Sequence, residues 1–307
     1  MAPPPTSVTV APSPWLDLSV SIYMLPFYSS PPLLDHAYAP LEAASSFASA
    51  ETSGKFRGGL GMVQIVRYHD TPVGPYDELL VIPGYFDVPG TGKKMIRITR
   101  VYVSQKDTLW NGRSNWNIPK HLARFSFFSE RNSLHLEVCP TGRDVEPFFK
   151  VELAPLSYVP NIPFSTNMSK YIGMDLRLAQ PPLPAAPRST DAEALGASGA
   201  SGASGASGDG GDESEYLCST ESWKIADPEI WGKAKLCWVI SPTPSNMMSS
   251  DHTETTPLST AEGVSQRHVR KDVDKWWPAY RPWKVGLFVE HGKFNFKDGN
   301  QHGLGTE

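Results

Sequence analysis

The segment of this sequence best suited to nucleophilic chemistry is residues 111–123, NGRSNWNIPKHLA. It concentrates amide, guanidinium and indole side chains around the primary amine of Lys120. A lysine amine can attack a carbonyl carbon and form a Schiff base when it is neutral. Apolar neighbours such as Ile118 and Leu122 favour the neutral amine, because burial disfavours charge. Pro119 suits the first turn of a helix, so the sequence predicts Lys120 at a helix N-terminus.

A second segment with chemical potential is residues 71–78, TPVGPYDE, which precedes an apolar run. Its two adjacent carboxylates, Asp77 and Glu78, could act as a general acid or base beside a reactive amine. Taken alone, the pattern is more typical of a turn whose acidic side chains are solvated. A lysine beside a helix start is likewise more often a surface residue.

Composition and spacing argue against several other classes of function. The net charge is −4 and no run of Lys and Arg exceeds two residues, which disfavours nucleic-acid binding. The three cysteines are odd in number and form no CxxC pair, so neither a disulfide framework nor a zinc site is expected. The spacing of His69, Asp70 and His121 matches no metal site. Without a secretory signal or a membrane-length apolar run, we expect a cytoplasmic protein that does not bind membranes.

The elements that must position these residues are mainly β-strands. Runs rich in Val, Ile, Thr and aromatic residues alternate with polar residues and turn signals, and no sustained helical period is visible. This pattern favours a mainly β (α+β) fold, a large antiparallel β-barrel or cone-like domain with a few short helices. The predicted strands cover residues 15–28, 61–68, 78–83, 95–104, 124–129, 134–139, 148–153, 236–240 and 285–296.

Two segments fall outside this strand pattern. Residues 1–14 are Pro-rich and are predicted to be disordered. Residues 180–216 begin Pro-rich and continue as a Gly-Ala-Ser repeat, which buries no apolar surface and should form a flexible coil. We interpret this low-complexity segment as an insert in one domain spanning residues 15–307; a linker between two domains is the alternative.

The two chemically suggestive segments resemble stretches of the acetoacetate decarboxylase family. GRSNWNIPKHLARF is similar to the family stretch in which Gly-Arg opens a loop and a Pro-Lys-Lys-Leu run carries the Schiff-base lysine. GPYDEL, about forty residues earlier, is similar to the segment whose Tyr-x-Glu places an acid in the pocket. The resemblance implies Lys120 and Glu78 as catalytic residues. It also implies a substrate site built from Tyr76, Arg113, Asn115, Trp116 and His121.

The activity implied by the resemblance is that of a lyase acting on a small keto acid or a related carbonyl compound through a lysine Schiff base. No cofactor or metal is implied, and family members assemble into homo-oligomers. Two departures leave the reaction open between decarboxylation and aldol or dehydration chemistry. His121 stands where the family has a second lysine, and no Lys or Arg precedes Lys55 to supply the N-terminal arginine that would bind a substrate carboxylate.

A non-catalytic protein that binds a small apolar ligand is the alternative interpretation. The aromatic content and the missing arginine favour it. In that case Lys120 would lie near the pocket without reacting.

Overall fold

A computed structural model describes residues 3–34, 36–142, 146–186, 213–240 and 276–299. The strands are β1 (Trp15–Ser29), β2 (Phe56–Asp70), β3 (Tyr76–Ile82), β4 (Tyr85–Asp87), β5 (Lys94–Ile96), β6 (Arg100–Val103), β7 (Lys120–Glu130), β8 (Ser133–Pro140), β9 (Phe149–Pro155), β10 (Ile162–Ser165), β11 (Leu178–Gln180), β12 (Lys224–Ile240) and β13 (Val285–Asp298). The helices are α1 (Pro40–Ala43), α2 (Ala50–Ser53), α3 (Lys106–Trp116) and α4 (Trp276–Ala279), with short 3-10 helices at Thr166–Ile172 and Glu213–Tyr216.

All thirteen strands join one sheet in the order β1-β13-β12-β11-β5-β4-β2-β3-β6-β7-β8-β9, with β10 paired to β12. Further pairings of β1 with β2 and of β12 with β9 bend the sheet back on itself, so it is ring-like without being a true barrel. The prediction of a mainly β fold with a few short helices is confirmed. The predicted antiparallel sheet is mixed, since β6–β7 and β5–β11 are parallel pairs.

The strands β1, β2 and β3 bury residues on both of their faces. Successive side chains of a strand point to opposite faces, so one strand can serve two cores. On β1, Ile22 and Met24 pack into a core that also contains Trp116. Leu25 and Phe27, on the opposite face, pack into a separate core. The first of these cores surrounds the cavity described below.

The hairpin predicted around residues 124–139 is confirmed as β7 and β8, which pair antiparallel across a turn at Arg131 and Asn132. The run 95–104 is instead divided into β5 and β6. Between them, Arg97 is buried over the ring of Phe86 and donates to the backbone carbonyl of Ser53.

Helix α3 was not predicted from the sequence. It occupies the connection before β7, and its buried positions include the polar residues Thr108, Asn111 and Arg113. An apolar stripe at helical spacing is the usual signal for a helix, and a helix that buries polar side chains lacks it. In this region the sequence predicts a helix only after Pro119.

Part of the segment predicted to be disordered, residues 1–14, packs on α3. Asn111 accepts a hydrogen bond from the backbone N–H of Ala11 at 2.8 Å and donates to the carbonyl of Thr9. Asn115 donates to the carbonyl of Ala11. Two α3 amides therefore satisfy the backbone of this extended segment.

The predicted insert, residues 180–216, lies mostly outside the described residues, which stop at 186 and resume at 213. The three cysteines, Cys139, Cys218 and Cys237, are all free. Across the described ranges, none of the helices combines the length and the apolar character that crossing a membrane requires.

Candidate active site

Lys120 is the first residue of β7 and is only 5% exposed. The prediction that it begins a helix is therefore corrected. Helix α3 ends at Trp116 and is capped by Asn117, whose left-handed backbone (φ 55°) turns the chain away from the helix axis. After Pro119 the chain then pairs with β6, so that Lys120 lies opposite Val101.

The amine of Lys120 is held by two side chains and one ring. Its Nζ lies 2.8 Å from Oε2 of Glu78, which is as deeply buried as the lysine itself. The Nζ donates a hydrogen bond to Oγ1 of Thr108 at 2.9 Å. The aromatic face of Tyr76 lies 5.0 Å from the Nζ, within range of a cation–π contact.

Sheet register explains why residues 42 positions apart in the sequence meet. On β6, Val101 pairs with Lys120 of β7, and Val103 pairs with Glu78 of β3. Since Val101 and Val103 are two residues apart, the side chains of Lys120 and Glu78 reach across β6 diagonally on one face of the sheet. The structure thus brings the two predicted catalytic residues together.

Helix α3 contributes a gap that admits the lysine side chain. A Cβ on Gly112 would lie 2.6 Å from Cδ and 2.6 Å from Cε of Lys120, and 3.1 Å from its Nζ. Only a glycine leaves room for this approach without displacing the lysine. Gly112 opens the Gly-Arg part of the segment that the sequence singled out, although its steric role was not foreseen.

Two buried tyrosines extend the polar cluster. Burial, reinforced by the charge of Glu78, raises the pKa of Tyr68 and of Tyr76 well above the usual value. Both phenols therefore stay protonated and can donate hydrogen bonds at neutral pH. Tyr68 interacts with both Glu78 and Tyr76, while Tyr76 interacts with Thr108.

A cavity of about 430 Å³ opens beside this cluster. Strands β1, β2, β3, β12 and β13 contribute much of its wall, and their lining side chains are mostly aliphatic or aromatic. Of the predicted substrate-site residues, Tyr76 and Trp116 line the cavity. Trp116 packs edge-on against Trp15 and tilts against Phe296. Its buried Nε1 has no hydrogen-bond partner among the described residues.

Arg113 does not line the cavity. Its fully buried guanidinium contacts Oε1 of Glu42 at 2.9 Å and donates to the carbonyls of Cys218 and Pro184. This arginine therefore ties helices α1 and α3 to the beginning of the predicted insert and to the residues that follow it. Asn115, another predicted substrate-site residue, is likewise outside the cavity wall and is bound to the N-terminal segment.

His121 also points away from the cavity, into a buried ionic network. Its Nε2 lies 2.8 Å from Oε2 of Glu42, and its Nδ1 lies 3.2 Å from Oε1 of Glu213. Burial alone would lower the pKa of His121, but the hydrogen bonds and charges of Glu213 and Glu42 outweigh it and raise the pKa to about 8. Both ring nitrogens face carboxylates, which suits a doubly protonated imidazolium.

Glu42 holds this network together, and the sequence offered no signal for it. Burial alone would raise its pKa, yet His121 and Arg113 hold the pKa of this carboxylate below its usual value. Glu213 also accepts a hydrogen bond from the backbone N–H of Leu122 at 2.8 Å. The end of the predicted insert is thereby fixed to the strand that carries Lys120. Within the described residues, no group of three or more potential ligands could hold a metal ion.

Comparison with known proteins gives a structural match without a sequence match. No family model and no curated protein matches the chain. The crystal structure of acetoacetate decarboxylase from Legionella pneumophila superposes with a TM-score of 0.50 and 11% identity, over 97% of this chain and 91% of that one. A second acetoacetate decarboxylase structure gives a TM-score of 0.48 and 10% identity, over 95% of this chain and 90% of that one. The chain therefore has the fold of acetoacetate decarboxylase.

Proposed function

We propose that this protein is an enzyme that forms a Schiff base between Lys120 and a carbonyl compound. The observation that carries the proposal is the position of the Lys120 amine, which is buried, within 2.8 Å of a carboxylate, and at the edge of an apolar cavity. A surface lysine would have no such surroundings. The chemistry that can follow includes decarboxylation of a keto acid, aldol cleavage or formation, and dehydration.

The short contact between Lys120 and Glu78 provides the proton transfer that the reaction needs. An ammonium cannot act as a nucleophile, so its proton must first leave. Glu78, 2.8 Å from the amine, is placed to accept that proton, and the apolar surroundings reduce the cost of the transfer because the neutral pair that it forms buries no charge. The neutral amine then adds to the carbonyl carbon.

The protonated Glu78 is suited to the second half of the step. The carbinolamine formed by addition loses its hydroxyl as water once that oxygen has received a proton, and the nitrogen keeps its bond to carbon as an iminium. Thr108 and Tyr76, beside the amine, can orient it during addition. The iminium then withdraws electrons from the adjacent carbon, whose bond to hydrogen, carbon or carboxylate can break.

Reductive trapping tests the proposal. The protein is incubated with acetone, acetoacetate or butanal in the presence of cyanoborohydride, and the adduct is located by peptide mass spectrometry. We expect labelling of Lys120, and loss of that label in Lys120→Arg with an unchanged circular dichroism spectrum. Lys106→Arg, on α3, is the matched control and keeps the label. Absence of an adduct with every carbonyl compound would rule out the proposal.

A non-catalytic ligand-binding protein is the second candidate. It is favoured by the ion pair itself, because Glu78 and Thr108 satisfy the lysine without any substrate. Under this alternative, apolar compounds without a carbonyl group bind in the cavity and Lys120 is never labelled.

A further inference from the structure

We infer that the cavity accepts an elongated apolar ketone or aldehyde without a carboxylate, with the carbonyl at Lys120 and the hydrocarbon chain along the apolar wall. The inference rests on the proposed Schiff base and names the substrate class of that same site. Because such a substrate has no carboxylate to lose, the reaction begins instead with removal of a proton from the carbon beside the carbonyl.

The first argument for this substrate class is the charge of the residues around the cavity. Among the lining residues that the structure describes, Lys120 and Glu78 are the only two with ionisable charge at neutral pH, and they neutralise each other. A substrate carboxylate would be buried without a cation of its own and close to Glu78. Burying an unpaired carboxylate costs several kcal/mol, so the site disfavours keto acids.

The cations outside the cavity do not supply the missing partner. A second, more open depression adjoins the cavity at the 3-10 helix Thr166–Ile172 and includes Lys170 and Arg177. The Arg177 guanidinium is bound to Asp175 through several contacts, the shortest at 2.7 Å, and Lys170 donates to Asn167. The carboxylate of Asp227 also faces this depression. Each positive charge there therefore has either a partner or an opposing charge nearby.

The second argument is the size of the cavity and the chemical nature of its lining. Its volume of about 430 Å³ falls in the range of ~300–1,000 Å³ typical of sites that enclose drug-sized ligands, more than a small keto acid would fill. Met24, Met62, Met168 and Met174 line it, and unbranched thioethers adapt to flexible chains. The cavity is therefore matched to a hydrocarbon chain in both volume and surface.

The geometry of the sheet indicates the direction in which the hydrocarbon chain of the ligand would lie. Gln64, Leu80 and Val101 follow one another across β2, β3 and β6, and Lys120 is next in this row on β7. Three strand spacings of ~4.8 Å put Gln64 roughly 14 Å from Lys120 at the level of the backbone. Gln64 lines the cavity, so this wall runs from the amine past apolar side chains to a neutral amide.

In the proposed step, the Lys120 Nζ bonds to the carbonyl carbon and the carbonyl oxygen leaves as water. With no carboxylate to lose, the iminium next gives up a proton from the adjacent carbon. Glu78, deprotonated again after water has left, accepts it, and the C–H electrons form the enamine double bond. Reversal of this step in D2O exchanges that hydrogen for deuterium.

The first experiment measures chain-length dependence. Cyanoborohydride trapping is carried out with the methyl ketones from acetone to nonan-2-one, and the half-labelling concentration of Lys120 is determined for each. We expect this concentration to fall about fourfold per added methylene until the cavity is full. The matched keto acid 8-oxononanoate should require at least about a hundredfold more than nonan-2-one, because its carboxylate lacks a partner.

A pair of variants at one position tests the charge argument. Gln64→Arg introduces a guanidinium at a half-buried site on the cavity wall, while Gln64→Met keeps that wall neutral. We expect the arginine variant to label with 8-oxononanoate at least tenfold more readily than the unaltered protein, and the methionine variant to keep the original preference. Equal preference in all three proteins would contradict the inference.

The outcomes separate this inference from the function on which it rests. Labelling by acetone or acetoacetate with no gain along the ketone series, or better labelling by the keto acid, leaves the Schiff base standing and overturns the inference alone. If no carbonyl compound labels Lys120, the proposed function fails and the inference fails with it. Labelling that improves with chain length, together with deuterium exchange at the adjacent carbon, supports both.

Discussion

Lys120 and Glu78 meet with 2.8 Å between Nζ and Oε2, although the strands that carry them, β7 and β3, are separated by β6. The contact depends on side chains that reach diagonally across an intervening strand. It therefore requires the parallel pairing of β6 with β7 as much as the two residues themselves. The candidate site therefore depends on the register in which β6 pairs with its two neighbouring strands.

Removing the carboxylate should be costly for both stability and chemistry. In Glu78→Gln the buried amine of Lys120 loses its counter-charge, and breaking one side of a buried ion pair costs about 3–5 kcal/mol. Denaturant unfolding should show a loss of this order. The trapping rate with a ketone should also fall by about 10²–10⁴-fold, the usual contribution of general acid–base catalysis.

The double variant Glu78→Gln/Lys120→Met serves as the control for stability. It removes both charges and should recover most of the lost free energy of unfolding. A single Glu78→Gln variant as stable as the unaltered protein would show that the ion pair is not formed in solution.

Gly112→Ala should separate folding from chemistry. Alanine favours a helix by up to about 1 kcal/mol over glycine, so α3 itself is not weakened. The new Cβ, however, would lie 2.6 Å from Cδ and Cε of Lys120, and the flexible end of that side chain must move. We expect a melting temperature within a few degrees of the original and at least a tenfold drop in trapping rate. Unchanged trapping would contradict the close packing.

Asn117 should be sensitive both to backbone conformation and to loss of its amide. Its φ of 55° is unfavourable for alanine and free for glycine. Its buried amide donates to the carbonyls of Ser222 at 2.8 Å and Pro181 at 3.0 Å. Asn117→Ala should therefore lower the free energy of unfolding by about 3 kcal/mol, and Asn117→Gly by about 1 kcal/mol less than that. Chemical denaturation of the two variants checks the order, and the reverse order would refute it.

His121 should make stability depend on pH. Its pKa is about 8 in the folded protein against 6.5 for an ordinary histidine, so its contribution to stability is complete below pH ~6.5 and is lost as the pH rises through 8. The difference of about 1.5 pKa units corresponds to about 2 kcal/mol. Unfolding free energies measured from pH 6 to pH 9 should fall by this order.

The variant His121→Gln is the control for that pH profile, because glutamine keeps hydrogen-bonding capacity without titrating. Its stability should be lower at pH 6 and flatter between pH 6.5 and 8. An identical slope in both proteins would show that another group titrates there.

The sequence predicts those parts of the site that lie in short, continuous segments. Lys120 and Glu78 each sit in a recognisable stretch, and the alternation around residues 124–139 predicts the hairpin beyond the lysine. Residues such as Glu42 and Thr108 carry no local signal, since their role arises only when distant elements pack together. Helix α3 could not be predicted for the same reason. The polar side chains that it buries bind the N-terminal segment and the segment after the insert, which are both distant in the sequence.

One face of β1 and β2 lines the cavity and the other packs into a second core. This separation has a practical consequence. Ile22 and Val66 face the cavity, whereas neighbours such as Leu25 and Ile65 belong to the other core. Cavity-facing positions can therefore be varied to alter ligand preference while the opposite face continues to hold the molecule together. Natural selection or protein engineering can therefore change which ligand the cavity binds through substitutions at every second position of these two strands.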